Sequence, residues 1–159
     1  MRCSARFRND TDARLSATVL SAARPLRYMM TLERARKVIA AAEKKASEIG
    51  QPMNIAVVDE GGNLLAFERM EGAWLGSIDI AINKAFTSRA FDITTKELSE
   101  LSQPGTDFFG IHVSNHGRIM IFAGGMPLKD GGKVVGAIGV SGGSGKQDHS
   151  VAEAGAEAF

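Results

Sequence analysis

The sequence predicts an α+β fold, an antiparallel sheet of about five strands with helices packed on it. Three observations lead there. Apolar stretches of strand length are joined by the short connections Glu60-Gly61-Gly62 and Asp130-Gly131-Gly132, and links that short join antiparallel neighbours. Helical spacing of apolar residues occurs before, between and after these stretches, without the strand-by-strand alternation of a doubly wound parallel sheet. With 159 residues, 44% of them apolar and 23% charged, the chain is long enough to bury one core.

The first helix is predicted over 31–49. Leu32, Ala35, Val38, Ile39, Ala42, Ala46 and Ile49 share one face, and Glu33, Arg36, Lys37, Lys44 and Lys45 lie mainly on the other. Thr31 is the expected N-cap and Gly50 the stop. A hairpin follows, with strands at 54–59 and 63–69. Leu75, Ile78, Ala81, Ile82, Ala85 and Phe86 then repeat at helical spacing through about Phe91. Thr94-x-x-Glu97 is a capping box that opens a shorter helix, ending before Pro104-Gly105. Short strands are expected at 110–114, 118–123, 126–128 and 133–140, and a last helix at 147–159 with Val151, Ala154, Ala158 and Phe159 on its apolar side.

Residues 1–29 stand apart from the rest. They carry +4 while 30–159 carry −3, and all eighteen glycines lie between Gly50 and Gly155. An Arg-, Ser- and Ala-rich composition with few acids is that of organelle transit peptides, but no apolar core of a signal accompanies it. The expectation is a leader at 1–29, disordered or upstream of a true start at Met29 or Met30, followed by one domain at 30–159. Cys3 is the single cysteine, so no intramolecular disulfide forms and a cytoplasmic location is expected. The apolar run 134–140 is far short of the about 20 residues a membrane-spanning helix needs, and a net charge of +1 offers no basic face for nucleic acid.

Several motifs invite chemistry. The glycine-rich stretch 139–147 is not a phosphate loop, because Val140 stands where the first glycine is required and Gln147 replaces the magnesium-binding hydroxyl. What remains is a glycine-rich strand end running into a helix, whose amides at 142–148, helped by Lys84 or Arg69, can hold a carboxylate or simply cap the helix. Gly139, Ser141 and Gly143 match the nucleophile-elbow letters, yet the downstream Asp148 and His149 are adjacent and cannot stand one behind the other as a triad demands. His112 and His116, read as strand residues, are separated by roughly 13 Å, too far to share one metal. His112 lines a cleft or the surface, opposite Ile111 and Val113. Gly136 and Gly139, and likewise Gly124-Gly125, mark thin places that admit either a ligand or a closely packed helix. Lys84 and Asp148 are an ion pair or two unrelated charges.

Taken in order, Asp59-x-Gly61-Gly62-Asn63, Arg69-Met70, Asn83-Lys84-Ala85, Gly124-Gly125-x-Pro127, Gly136-Ala137-x-Gly139-Val140-Ser141-Gly142 and Gln147-Asp148 closely resemble the GlcG/HbpS family of small haem-binding proteins. That family includes the domain at the C-terminal end of PduO-type proteins, and the resemblance covers 31–159. It implies a profilin-like α+β fold, a homo-oligomer, and for some members binding or breakdown of haem; others accompany glycolate or propanediol metabolism. Two functions follow as expectations. In the first the protein binds haem, with His112 as the candidate iron ligand and no two-histidine site. In the second it is an enzyme or accessory protein of small organic-acid metabolism and holds a carboxylate near the strand–helix junction. The candidate ligand-binding residues are His112, Lys84, Arg69, Gly124, Gly125, Gly142 and Asp148.

Overall fold

The computed structural model describes residues 29–159. The expected leader thus lies outside the described residues, apart from Met29. Helix α1 (Leu32–Glu48) starts on Thr31, whose side chain accepts from the Arg34 amide, and Gly50 follows it with φ +67. Strands β1 (Asn54–Val58) and β2 (Leu64–Arg69) form the expected hairpin. Asp59 closes its turn, its Oδ1 accepting from the Gly61 and Asn63 amides at 2.8 and 2.9 Å. Helices α2 (Ser77–Phe91) and α3 (Thr95–Leu101) come next, and the Thr94–Glu97 capping box is formed. Strands β3 (Gly125–Asp130) and β4 (Lys133–Ser141) then lead into helix α4 (Gly145–Glu157).

The sheet is antiparallel, in the order β2-β1-β4-β3, and has four strands instead of about five. The expected strands 110–114 and 118–123 are absent. In their place stand two 3-10 turns, Ile111–Val113 and Asn115–Gly117. Gly110, at the start of the first expected strand, has φ +88, which no extended strand accommodates, while Asn115, His116 and Gly117, between the two expected strands, have φ of +51, +59 and +75. Residues 112–117 are exposed throughout, so the Ile111/Val113 alternation has no core to face. Further on, the Met120 amide donates to Thr87 Oγ1 at 2.9 Å rather than to a neighbouring strand.

Strand β1 is buried on both faces, and its alternation explains the layering. Ile55 and Val57 join Ile138, Val140 and Leu128 under α1 and α4, with Val38, Ala42, Val151 and Ala152 as the helical half of that core. Ala56, Val58 and Ala137 face the other way and meet Ala81 and Ala85 of α2. The second face is built of small residues, and α2 lies close enough that a Cβ at Gly139 would overlap the Ala81 carbonyl and the Ala85 amide. At Gly136 a Cβ would overlap the Val58 carbonyl. Close packing therefore accounts for both glycines.

Helix α2 departs from its expected stripe. Its buried side runs through Ser77, Ala81, Lys84, Ala85 and Ser88, while Leu75 is 72% exposed and Ile78, Ile82 and Phe86 are only half-buried. Apart from Lys84, which reaches Asp148, the buried side chains are small, and with glycine and alanine on the sheet that lets the helix approach.

Candidate functional site

The junction of α2, β4 and α4 brings together five of the expected residues, Lys84, Gly124, Gly125, Gly142 and Asp148. After β4 the chain turns through Gly142 and Gly143, and Ser144 caps α4 in a capping box with Gln147. One residue on, Asp148 is turned inward and buried. Its Oδ1 accepts from the Gly143 amide at 2.9 Å, and its Oδ2 lies 2.6 Å from Lys84 Nζ. The Lys84 ammonium also donates to the Val140 carbonyl at 2.9 Å, and the Phe122 ring centroid lies 4.6 Å from it. Lys84 is fully buried and Asp148 is 2% exposed.

Burial weakens ionisation of both partners. It pushes the Lys84 ammonium below the ordinary lysine range, against the pull of Asp148, and pushes the Asp148 carboxyl up, against Lys84 and the Gly143 amide. Gly124 is part of the same junction. It has φ +124, and a Cβ there would sit 2.8 Å from Lys84 Nζ and 2.5 Å from the Val140 carbonyl oxygen. At Gly125 a Cβ would lie 2.5 Å from Thr95 Cγ2, and its amide donates to Thr95 Oγ1 at 2.8 Å. Gly142 presses on the Pro52 carbonyl, and its own carbonyl accepts from Gln51 Nε2 at 2.9 Å. These contacts fasten the end of β4 to α2 and to the start of β1.

The other two expected residues lie elsewhere. Arg69 donates through Nε and Nη2 to the Ala73 carbonyl at 3.1 and 2.9 Å, bracing the loop between β2 and α2. His112 lies in the first 3-10 turn and is exposed, and His116 occupies the second. Because neither is in a strand, the 13 Å spacing that separated them no longer applies. Phe108, Phe109 and Val113, at 45%, 63% and 75% exposure, belong to the same segment, as does Phe122 at 42%. This segment offers imidazole nitrogen and apolar surface to solvent together. Among the described residues no group of three or more His, Cys, Asp and Glu side chains could hold a metal ion.

Two features had escaped the sequence. Phe122 falls within the expected strand 118–123, and nothing near it in sequence points to Lys84, which its ring covers. A cavity of about 240 Å³ lined by Lys96, Ala123, Gly145, Lys146 and His149 also draws on α3, α4 and the segment before β3, and no local motif links them.

Residues 30–157 match the family model for the haem degrading protein HbpS-like family. The "uncharacterized 15.0 kDa protein in dhaT-dhaS intergenic region" of Citrobacter freundii is 44% identical over 130 residues, covering 82% of this chain and 92% of that protein. The corrinoid adenosyltransferase PduO of the same organism is 34% identical over 87% of this chain, which spans only 42% of that longer protein. Among solved structures, the Klebsiella pneumoniae protein ORFY superposes with a TM-score of 0.80 at 41% identity, covering 82% of this chain and 90% of that one. The PduOC:heme complex superposes with a TM-score of 0.79 at 31% identity, covering 82% and 95%. The ordered glycine motifs and these matches agree, and the chain belongs to the GlcG/HbpS family.

Proposed function

We propose that this protein binds haem on the exposed segment around His112, as a small cytoplasmic, self-associating protein with the profilin-like fold that its family resemblance implies. The observation that carries the reading is the likeness to a haem complex over 82% of the chain, joined to the family match across residues 30–157. The residues present fit the group. Haem needs an apolar surface for the porphyrin and a nitrogen, sulfur or oxygen ligand for iron. His112 is an accessible imidazole, and Phe109 and Val113 beside it in sequence expose most of their side-chain surface. The buried junction has the opposite character: Lys84 and Asp148 satisfy each other and are closed to a planar ligand. Gly124, Gly125 and Gly142 then act by holding the scaffold, with no contact to the porphyrin.

When bound, haem supplies an iron centre open to ligand exchange and redox chemistry; the protein supplies the imidazole and the apolar cover. Self-association is read from other exposed features. Strands β2 and β3 are both sheet edges, and Leu64 at 49% and Trp74 at 65% exposure are apolar side chains facing water. No helix among the described residues is long and apolar enough to cross a membrane.

Titration of the purified protein with haem, followed by the Soret band, tests the reading. A saturable shift that His112→Ala abolishes or moves, and that His116→Ala leaves in place, is expected. Absence of a saturable shift contradicts haem binding. A shift unaltered by His112→Ala removes His112 as the ligand.

A further inference from the structure

The geometry points to a second binding site, separate from the haem surface, for a small organic carboxylate in the cavity between α3 and α4. Its volume, about 240 Å³, is below the range of roughly 300–1,000 Å³ that holds drug-sized ligands, so it excludes a porphyrin and admits a short acid. Three basic side chains line it, Lys96 from α3 and Lys146 and His149 from α4, and no acidic residue does. Neither lysine forms an ion pair among the described residues. The neighbouring carboxylate that lowers the local positive charge is Glu97, and it is engaged elsewhere: its Oε2 accepts from the Thr94 amide and hydroxyl, both at 2.8 Å.

The Nδ1 of His149 makes no hydrogen bond and is closed to solvent, so the residue lines the cavity through its other atoms. The rest of the wall, Ala123 and Gly145, carries no polar side chain. Phosphate has oxygen on every side and leaves some of it against that wall, whereas a carboxylate with a short carbon tail turns its charge to the lysines and its tail to Ala123. The site uses neither Lys84, which is buried against Asp148 and Val140, nor Arg69, which donates to the Ala73 carbonyl.

The probe is butyrate, added to the haem-free protein while the His149 ring resonances are followed by NMR, with its neutral isostere butyramide and inorganic phosphate in parallel. A saturable shift with butyrate, none with butyramide and a weaker one with phosphate is expected. Lys96→Gln combined with Lys146→Gln changes only exposed side chains and is expected to weaken butyrate binding by about tenfold or more. No saturable shift with butyrate overturns the site. So does unchanged binding in the double lysine variant, equal binding of butyramide, or phosphate binding as tight as butyrate. Because no haem is present, these outcomes are independent of the Soret titration.

Discussion

The buried junction at Lys84 and the exposed segment around His112 hold the polar residues that most invited a functional role, and the two regions are physical opposites. Lys84 has every neighbour it needs: a carboxylate at 2.6 Å, a carbonyl at 2.9 Å and an aromatic face. His112 stands in solvent on a 3-10 turn beside exposed apolar side chains. Full satisfaction inside the protein marks a residue that maintains structure; an imidazole offered outward is open to a ligand. The difference can be tested by stability in one region and by spectroscopy in the other.

The largest expected effect comes from breaking the buried pair on one side. Asp148→Asn leaves the Lys84 ammonium buried without its counter-charge, and about 3–5 kcal/mol of stability should be lost. Combining it with Lys84→Met should restore part of that loss, measured by chemical denaturation as a double-mutant cycle. Small, additive effects would mean the pair contributes nothing to holding α2 and α4 together. Next comes Gly139→Ala. The new methyl overlaps backbone on α2, which cannot swing aside as a side chain can, so a loss near about 3 kcal/mol, the upper end of the overpacking range, is expected in the same measurement.

Smaller effects belong to the α3 cap. Thr94→Ala removes the hydroxyl that accepts from the Glu97 amide at 3.1 Å, and about 1 kcal/mol should go with it. The Thr94 amide and hydroxyl also hold the Glu97 carboxyl below its usual range. A depressed carboxyl contributes stability that is present above its unfolded value of about 4.5 and is lost as pH falls through the lower folded value. Acid titration of the melting temperature should therefore show a slightly shallower fall below that pH in Glu97→Gln than in the parent. The effect is small because Glu97 is exposed.

Where pattern and packing agree, the fold was legible. Helix α1 carries its period, its Thr31 cap and its Gly50 stop in plain sequence, and the β1–β2 hairpin carries its glycine turn. Two places were not legible, for different reasons. Around residues 110–118 the alternation of Ile111, His112 and Val113 imitates a strand, while the structure makes a 3-10 turn there; Asn115 and Gly117 do mark the left-handed turn that follows, but nothing local says that the residues before it are not extended. In α2 the large residues at helical spacing defined a stripe, but the glycines and alanines of β1 and β4 admit only small side chains against them. The candidate site divides the same way. Lys84 and Asp148 are 64 positions apart, and nothing local in either segment says that they meet.

On the proposed reading, the junction supports the fold while the outward segment binds the ligand. Haem titration of two variants side by side, recorded at the Soret band, tests this most directly. The Lys84→Met/Asp148→Leu variant, with the charges removed together and the core kept apolar, should keep the parent's saturable shift, whereas His112→Ala should lose or displace it. Loss of the shift in the folded double variant, with His112→Ala unchanged from the parent, would contradict the claim and move the haem site to the junction.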